Sequence, residues 1–94
     1  MRIAILAPPY LPVPPPLYGG TEKIVSLLTE GLVARGHEVT LFASGDSITT
    51  AKLASLYPTA LGNSGLTKGN TDKPLAHYHA CYARADEFDI IHSH

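Results

Sequence analysis

Thirteen consecutive residues, Pro8 to Gly20 (PPYLPVPPPLYGG), hold six of the chain's eight prolines and end in a glycine pair. Proline has no backbone N–H and fixes φ, so such a stretch can form neither a helix interior nor a central strand. It must be a stiff loop. Before it, Arg2 to Ala7 (RIAILA) is short and continuously apolar, the pattern of a strand buried on both faces of a parallel sheet. After it, from Thr21, Ile24, Leu27, Leu28, Leu32 and Val33 recur at three- and four-residue spacing, with Glu22, Lys23, Ser26, Thr29, Glu30 and Arg35 at mostly other positions. That period predicts an amphipathic helix. Gly36 stands just past its last turn, where a left-handed residue is wanted, and Arg35 complements the negative helix end. Gly31 costs about 1 kcal/mol inside a helix, which predicts close contact with the sheet at that point.

His37 to Ala43 is β-branched and apolar, and Ser44-Gly45-Asp46-Ser47 ends it with turn chemistry, so a second strand follows the helix. Strand, helix and strand make a βαβ unit with parallel strands. Residues 48–61 read as a broken helix or as a short helix plus an extended piece, interrupted by Pro58. Residues 62–73 (GNSGLTKGNTDK) are polar and glycine-rich, a surface excursion. From Pro74 the helical period returns through Leu75, Tyr78, Cys81, Tyr82, Ala85 and Phe88, and Asp89 to His94 opens another buried strand. The expected fold is α/β, a Rossmann-like parallel sheet flanked by helices. No covering helix follows that last strand, so the sequence is expected to be part of something larger.

With 94 residues the chain can build one core and not two, and 45% hydrophobic residues are enough to fill it. Seven Lys and Arg oppose eight Asp and Glu without forming blocks, which argues against nucleic acid or an anionic membrane as the main partner. The apolar run Ile3–Ala7 is far below the ~20 residues of a membrane span. Pro8-Pro9 cuts it too short for a signal peptide. A single cysteine, Cys81, has no intramolecular partner, so a cytoplasmic setting is the expectation.

Gly19-Gly20, delivered by the stiff loop to a helix start, is the strongest chemical feature. Residues without Cβ let backbone N–H groups approach an oxyanion, and the helix start adds about half a positive charge. The pair also reads simply as a tight turn. Two His-x-His pairs occur, His77/His79 and His92/His94. On a strand the second pair shares a face, and on a helix the first diverges. Without a carboxylate or thiolate cluster beside them, no metal site is expected. The reading preferred here sets one of His92 and His94 at a strand's carboxyl end, facing the same crevice as the glycines, where an imidazole can hydrogen-bond a sugar hydroxyl or phosphate oxygen. Asp46 follows the second strand, where dinucleotide-binding folds place an acid, yet the Gly-x-Gly-x-x-Gly fingerprint is absent. Asp46 or Ser47 then serves the turn. Pro12-Val13-Pro14-Pro15 fits a PxxP ligand, but its place between strand and helix favours a structural use. Tyr10 and Tyr18 flank the crevice.

The combination of the proline-rich loop, Tyr-Gly-Gly-Thr-Glu (18–22), Arg-Gly-His-Glu-Val (35–39) and Asp-Ile-Ile-His-Ser-His (89–94) resembles the N-terminal domain of family 4 glycosyltransferases, retaining enzymes of the two-domain GT-B fold. The resemblance covers nearly the whole chain. It implies that residues 1–94 form an incomplete acceptor-side domain, with Gly19 and Gly20 bordering the donor diphosphate and the reacting sugar. It implies that His94 contacts the donor sugar near the reaction centre as the catalytic histidine. It further implies a nucleotide-sugar donor and an acceptor as substrates, no cofactor and no divalent metal. Front-face attack would keep the anomeric configuration, the leaving diphosphate helping to accept the acceptor's proton. The nucleotide pocket belongs to a second domain in that family, so the 94 residues alone are expected to transfer no sugar. A separate C-terminal half or a homo-oligomer would supply the missing wall. The competing readings are a non-catalytic interaction domain of the same fold and a dinucleotide-binding module.

Overall fold

The computed structural model describes residues 1–8, 13–14, 20–56 and 72–93. The strands are β1 (Arg2–Leu6), β2 (Glu38–Phe42), β3 (Lys52–Ala54) and β4 (Ile90–Ser93). The helices are α1 (Gly20–Ala34) and α2 (Asp72–Tyr82), and a 3-10 turn spans Ala85–Glu87. All strands are parallel and lie in the order β3-β2-β1-β4. β1 is therefore central, with Ile5 level with Leu41 on one side and His92 on the other.

Alternation along β1 and β2 sends their side chains to two separate cores. Ile3, Ile5, Ala7, Val39, Leu41 and Ala43 join Val13 and Val25 of α1 on one face. Ala4, Leu6 and Phe42 join Cys81 of α2 on the other. Helices on both faces are what a continuously apolar parallel strand demands. The expected α/β sheet is thus observed.

Four sequence readings need correction. First, α1 buries Glu22, Val25 and Thr29, while Ile24 and Leu27 are 61% and 71% exposed. Only Leu28, Leu32 and Val33 of the expected apolar stripe pack toward the core. Val13 of the proline-rich loop shares the core that Val25 enters. Thr29 is fully buried, and its hydroxyl has no hydrogen-bond partner among the described residues. Second, Gly31 is exposed, and a Cβ built there meets nothing within 4 Å, so no close approach to the sheet explains it. Third, within residues 48–56 the structure forms a three-residue strand rather than a helix; residues 57–71, with Pro58 and most of the glycine-rich excursion, lie outside the described residues. Fourth, α2 starts at Asp72 and ends at Tyr82, before the expected Phe88. Arg84 N–H bonds the Cys81 carbonyl at 3.0 Å, which tightens the chain into the 3-10 turn. Phe88 then meets the edge of Phe42, ring centroids 5.8 Å apart, and Arg84 stacks over both rings.

The end of α1 follows its expectation. Gly36 has φ +88°, its N–H bonds the Val33 carbonyl at 3.0 Å, and His37 N–H bonds that of Leu32 at 3.2 Å. These are the two bonds of a Schellman motif. The two glycines therefore have opposite signatures. Gly36→Ala is expected to lose about 1 kcal/mol of unfolding free energy, because an L side chain resists positive φ even with open space around it. Gly31→Ala, in an exposed helix interior, is expected to gain about 1 kcal/mol. Urea denaturation of the two variants checks both signs.

At the amino ends of the strands, Asp89 fixes β4 against β1. Its carboxylate accepts from Arg2 N–H at 2.8 Å, and its own N–H donates to the Arg2 carbonyl at 2.7 Å. The Arg2 backbone bond is the main reason that the Asp89 carboxyl titrates below its ordinary range.

Candidate functional site

In a parallel sheet, ligands bind beyond the carboxyl ends of the strands, where successive connections diverge. β2 lies on one side of β1 and β4 on the other, so the divergence falls between β1 and β4. The proline-rich loop leaves β1 at this edge. α1 must begin there too, because the helix of a βαβ unit runs antiparallel to its strands.

Gly20 is the first residue of α1 and is exposed. A Cβ built on it meets nothing within 4 Å, so the main chain at the helix start faces open space. Helix starts leave N–H groups without intrahelical partners, and these can receive an anion or a hydroxyl oxygen. Glu22, in the same first turn, is 7% exposed. An acid at this position suits the positive helix end. Sequence periodicity had placed Glu22 on the solvent side; the signal that finds it is an acid in the first turn directly after a glycine pair.

On β4, His92 is level with Ile5 and Ser93 with Leu6. Parallel neighbours in register point to one side, so His92 lies on the sheet face that carries α1, the face of Ile5. Gly19 and His94, the other two residues singled out from sequence, lie outside the described residues, as do Tyr10, Tyr18, Pro12 and Pro15.

The floor of the crevice is held by His77, which the sequence marks only as half of a His-x-His pair that diverges on a helix. His77 of α2 is 2% exposed, and its Nε2 lies 2.8 Å from the Ala7 carbonyl at the end of β1. A carbonyl only accepts, so the proton sits on Nε2. Burial pulls the His77 pKa below its ordinary value; the carbonyls of Ala7 and Phe42 favour the charged form and oppose that shift without cancelling it. A neutral imidazole thus ties α2 to the root of the proline-rich loop. Ala7 N–H in turn bonds the Phe42 carbonyl at 3.0 Å. The sequence signal was the four-residue spacing of His77 and Cys81, which sets both on the buried face of α2, while His79 diverges to solvent. Burial pushes the Cys81 thiol pKa up, so it is an inert core residue.

The loop after β2 supports the middle of the proline-rich segment. Val13 N–H donates to Ser47 Oγ at 2.9 Å, and Ile48 N–H donates to the Val13 carbonyl at 2.7 Å. Asp46 is exposed in the turn, and Ser47 is the residue that holds the loop. A hollow of about 110 Å³ opens beside His77, between Phe42, Leu56 and Arg84. A larger one, about 360 Å³, lies at the amino ends of the strands between Arg2, Glu38, Lys52 and Arg84, away from the crevice. Among the described residues no group of three His, Cys, Asp or Glu could hold a metal ion, and no helix is long and apolar enough to cross a membrane.

Residues 18–94 match the family model described as Glycosyltransferase Family 4. Comparison with curated proteins found no match.

Proposed function

Because the chain belongs to glycosyltransferase family 4, we propose that its carboxyl-end crevice is the acceptor-side wall of a retaining sugar-transfer site of the GT-B type, working on a nucleotide-sugar donor and needing no cofactor or metal. The observation that carries this reading is the start of α1. Gly20 presents bare main chain to open space at the divergence of the sheet, beside a buried acid and on the sheet face of His92. In this reading the N–H groups at Gly19 and Gly20 meet charge that develops on the leaving diphosphate. Charge that grows during bond cleavage is what preoriented donors stabilise best. The imidazole of His94 contacts the donor sugar near the reaction centre. The acceptor oxygen attacks from the face the diphosphate leaves, and the diphosphate oxygen takes its proton, so the configuration is kept.

One wall of a cleft neither positions two substrates nor excludes water. The 94 residues alone are therefore expected to transfer no sugar. A nucleotide-sugar-binding C-terminal half of the family, supplied as a separate chain, should restore transfer. Product formation by the 94 residues alone would overturn the half-cleft reading, and no product in the reconstituted pair would argue against the enzyme reading. A second reading, an interaction domain, draws on β4, whose Ile90 is 46% exposed. A reversible dimer in sedimentation, with no transfer in the reconstituted pair, would favour it.

A further inference from the structure

Glu30 lies ten residues into α1, about 15 Å along the helix from Gly20, and does not line the crevice. It is nevertheless the most heavily hydrogen-bonded carboxylate on that helix among the described residues. Thr49 Oγ1 donates to Oε2 at 2.6 Å, and Thr50 donates to Oε1 twice, from Oγ1 at 2.6 Å and from N–H at 2.9 Å. Thr49 Oγ1 also accepts from Ala51 N–H at 3.1 Å. The clamped residues, Thr49 and Thr50, directly follow Ser47 and Ile48, the two residues that hold both backbone groups of Val13.

A loop with six prolines in thirteen residues has few N–H groups for bonds of its own, so bonds from outside it help to fix where it sits. Two supports are visible. The Val13 side chain is fully buried in the core with Val25, and its backbone is bonded to residues 47 and 48. The second support is only as firm as the segment that supplies it, and that segment is tied to α1 through Glu30. The body of α1 thus braces, through residues 47–50 and Val13, the same loop that leads into its own first turn.

We propose that Glu30 is a positioning residue for the proposed sugar-phosphate seat, acting through Thr49, Thr50, Ser47 and Val13 on the proline-rich loop. The inference rests on the reading of Gly20 given above and adds to it a group remote from any substrate. A purely structural role would instead make Glu30 one more contributor to global stability.

The test uses the 94-residue chain, with amide exchange at Val13 and Ile5 and pyrophosphate as the anion, followed at the Gly20 amide by NMR. Ile5 sits in the central strand and reports global opening. Glu30→Ala is expected to speed exchange at Val13 about tenfold more than at Ile5, the size of one lost charged hydrogen-bond network. It should also weaken the pyrophosphate response of Gly20 several-fold, with Glu30→Gln restoring most of both. Ser47→Ala, which leaves Glu30 in place, should reproduce the effect at Val13 and serves if Glu30→Ala does not fold. Equal acceleration at Val13 and Ile5 in the folded variants overturns the inference. A wild-type response to pyrophosphate that Glu30→Ala leaves unchanged also overturns the inference and spares the seat. No wild-type response at all overturns the seat, and the inference with it.

Discussion

Replacing His77 with alanine is expected to lower the free energy of unfolding by about 3 kcal/mol, a large share of what a domain of this size possesses. Two losses combine. The Ala7 carbonyl loses the donor that satisfies it at 2.8 Å, and a ring packed against Tyr78 is deleted from between α2 and the sheet. The same residue predicts a pH dependence with a definite sign. The folded His77 pKa lies below its unfolded value near 6.5, because burial disfavours the imidazolium. Below pH 6.5 the unfolded chain therefore binds a proton that the folded chain does not. Stability is fully present above pH 6.5 and falls as the pH drops below it toward the folded pKa, with a slope of at most about 1.4 kcal/mol per pH unit. Cys81 stays neutral through this window, its thiol pKa being raised. The Glu30 carboxyl titrates below its own ordinary value: burial raises its pKa, but the bonds from Thr49 and Thr50 together outweigh burial, so its contribution is lost as the pH falls through that depressed value. His77→Gln keeps a donor for Ala7 and removes the titration. Urea denaturation from pH 7.5 to 5 should show the slope in the wild type and a flatter line in His77→Gln; equal slopes would contradict the assignment.

The second large effect separates function from fold at Gly20. Its φ is not in the left-handed region, and its hypothetical Cβ touches nothing, so the backbone does not require glycine there. Gly20→Val is accordingly expected to shift the unfolding free energy by no more than about 0.5 kcal/mol. If the bare main chain serves a diphosphate, the added branched side chain keeps that group away from the helix start. The rate of sugar transfer by the chain reconstituted with a nucleotide-sugar-binding half should then fall about a hundredfold, the scale of losing one preoriented oxyanion donor. Unfolding measurements and initial rates on the same preparations check the two halves of the prediction. A variant that transfers sugar at the wild-type rate would remove Gly20 from the site.

The sequence by itself determined the elements whose cause is local. A continuous apolar run gave β1, a 3.6-residue period gave α1, Gly36 closed it, and six prolines forced the loop that carries the glycine pair to the helix start. Each rests on dihedral preference or on spacing within a few residues, and both are written in order along the chain. Tertiary structure alone decided which face of α1 is buried: Val25 enters the core that Val13 of the loop shares and Thr29 is buried, while Ile24 and Leu27 stay exposed. It also decided that His77 serves the end of β1, 70 positions away in sequence, and that Glu30 reaches Thr49 and Thr50 across the loop after β2. Such pairings satisfy polar groups that folding has removed from water, and their partners are chosen by where the packed layers bring the chain, which no local period records.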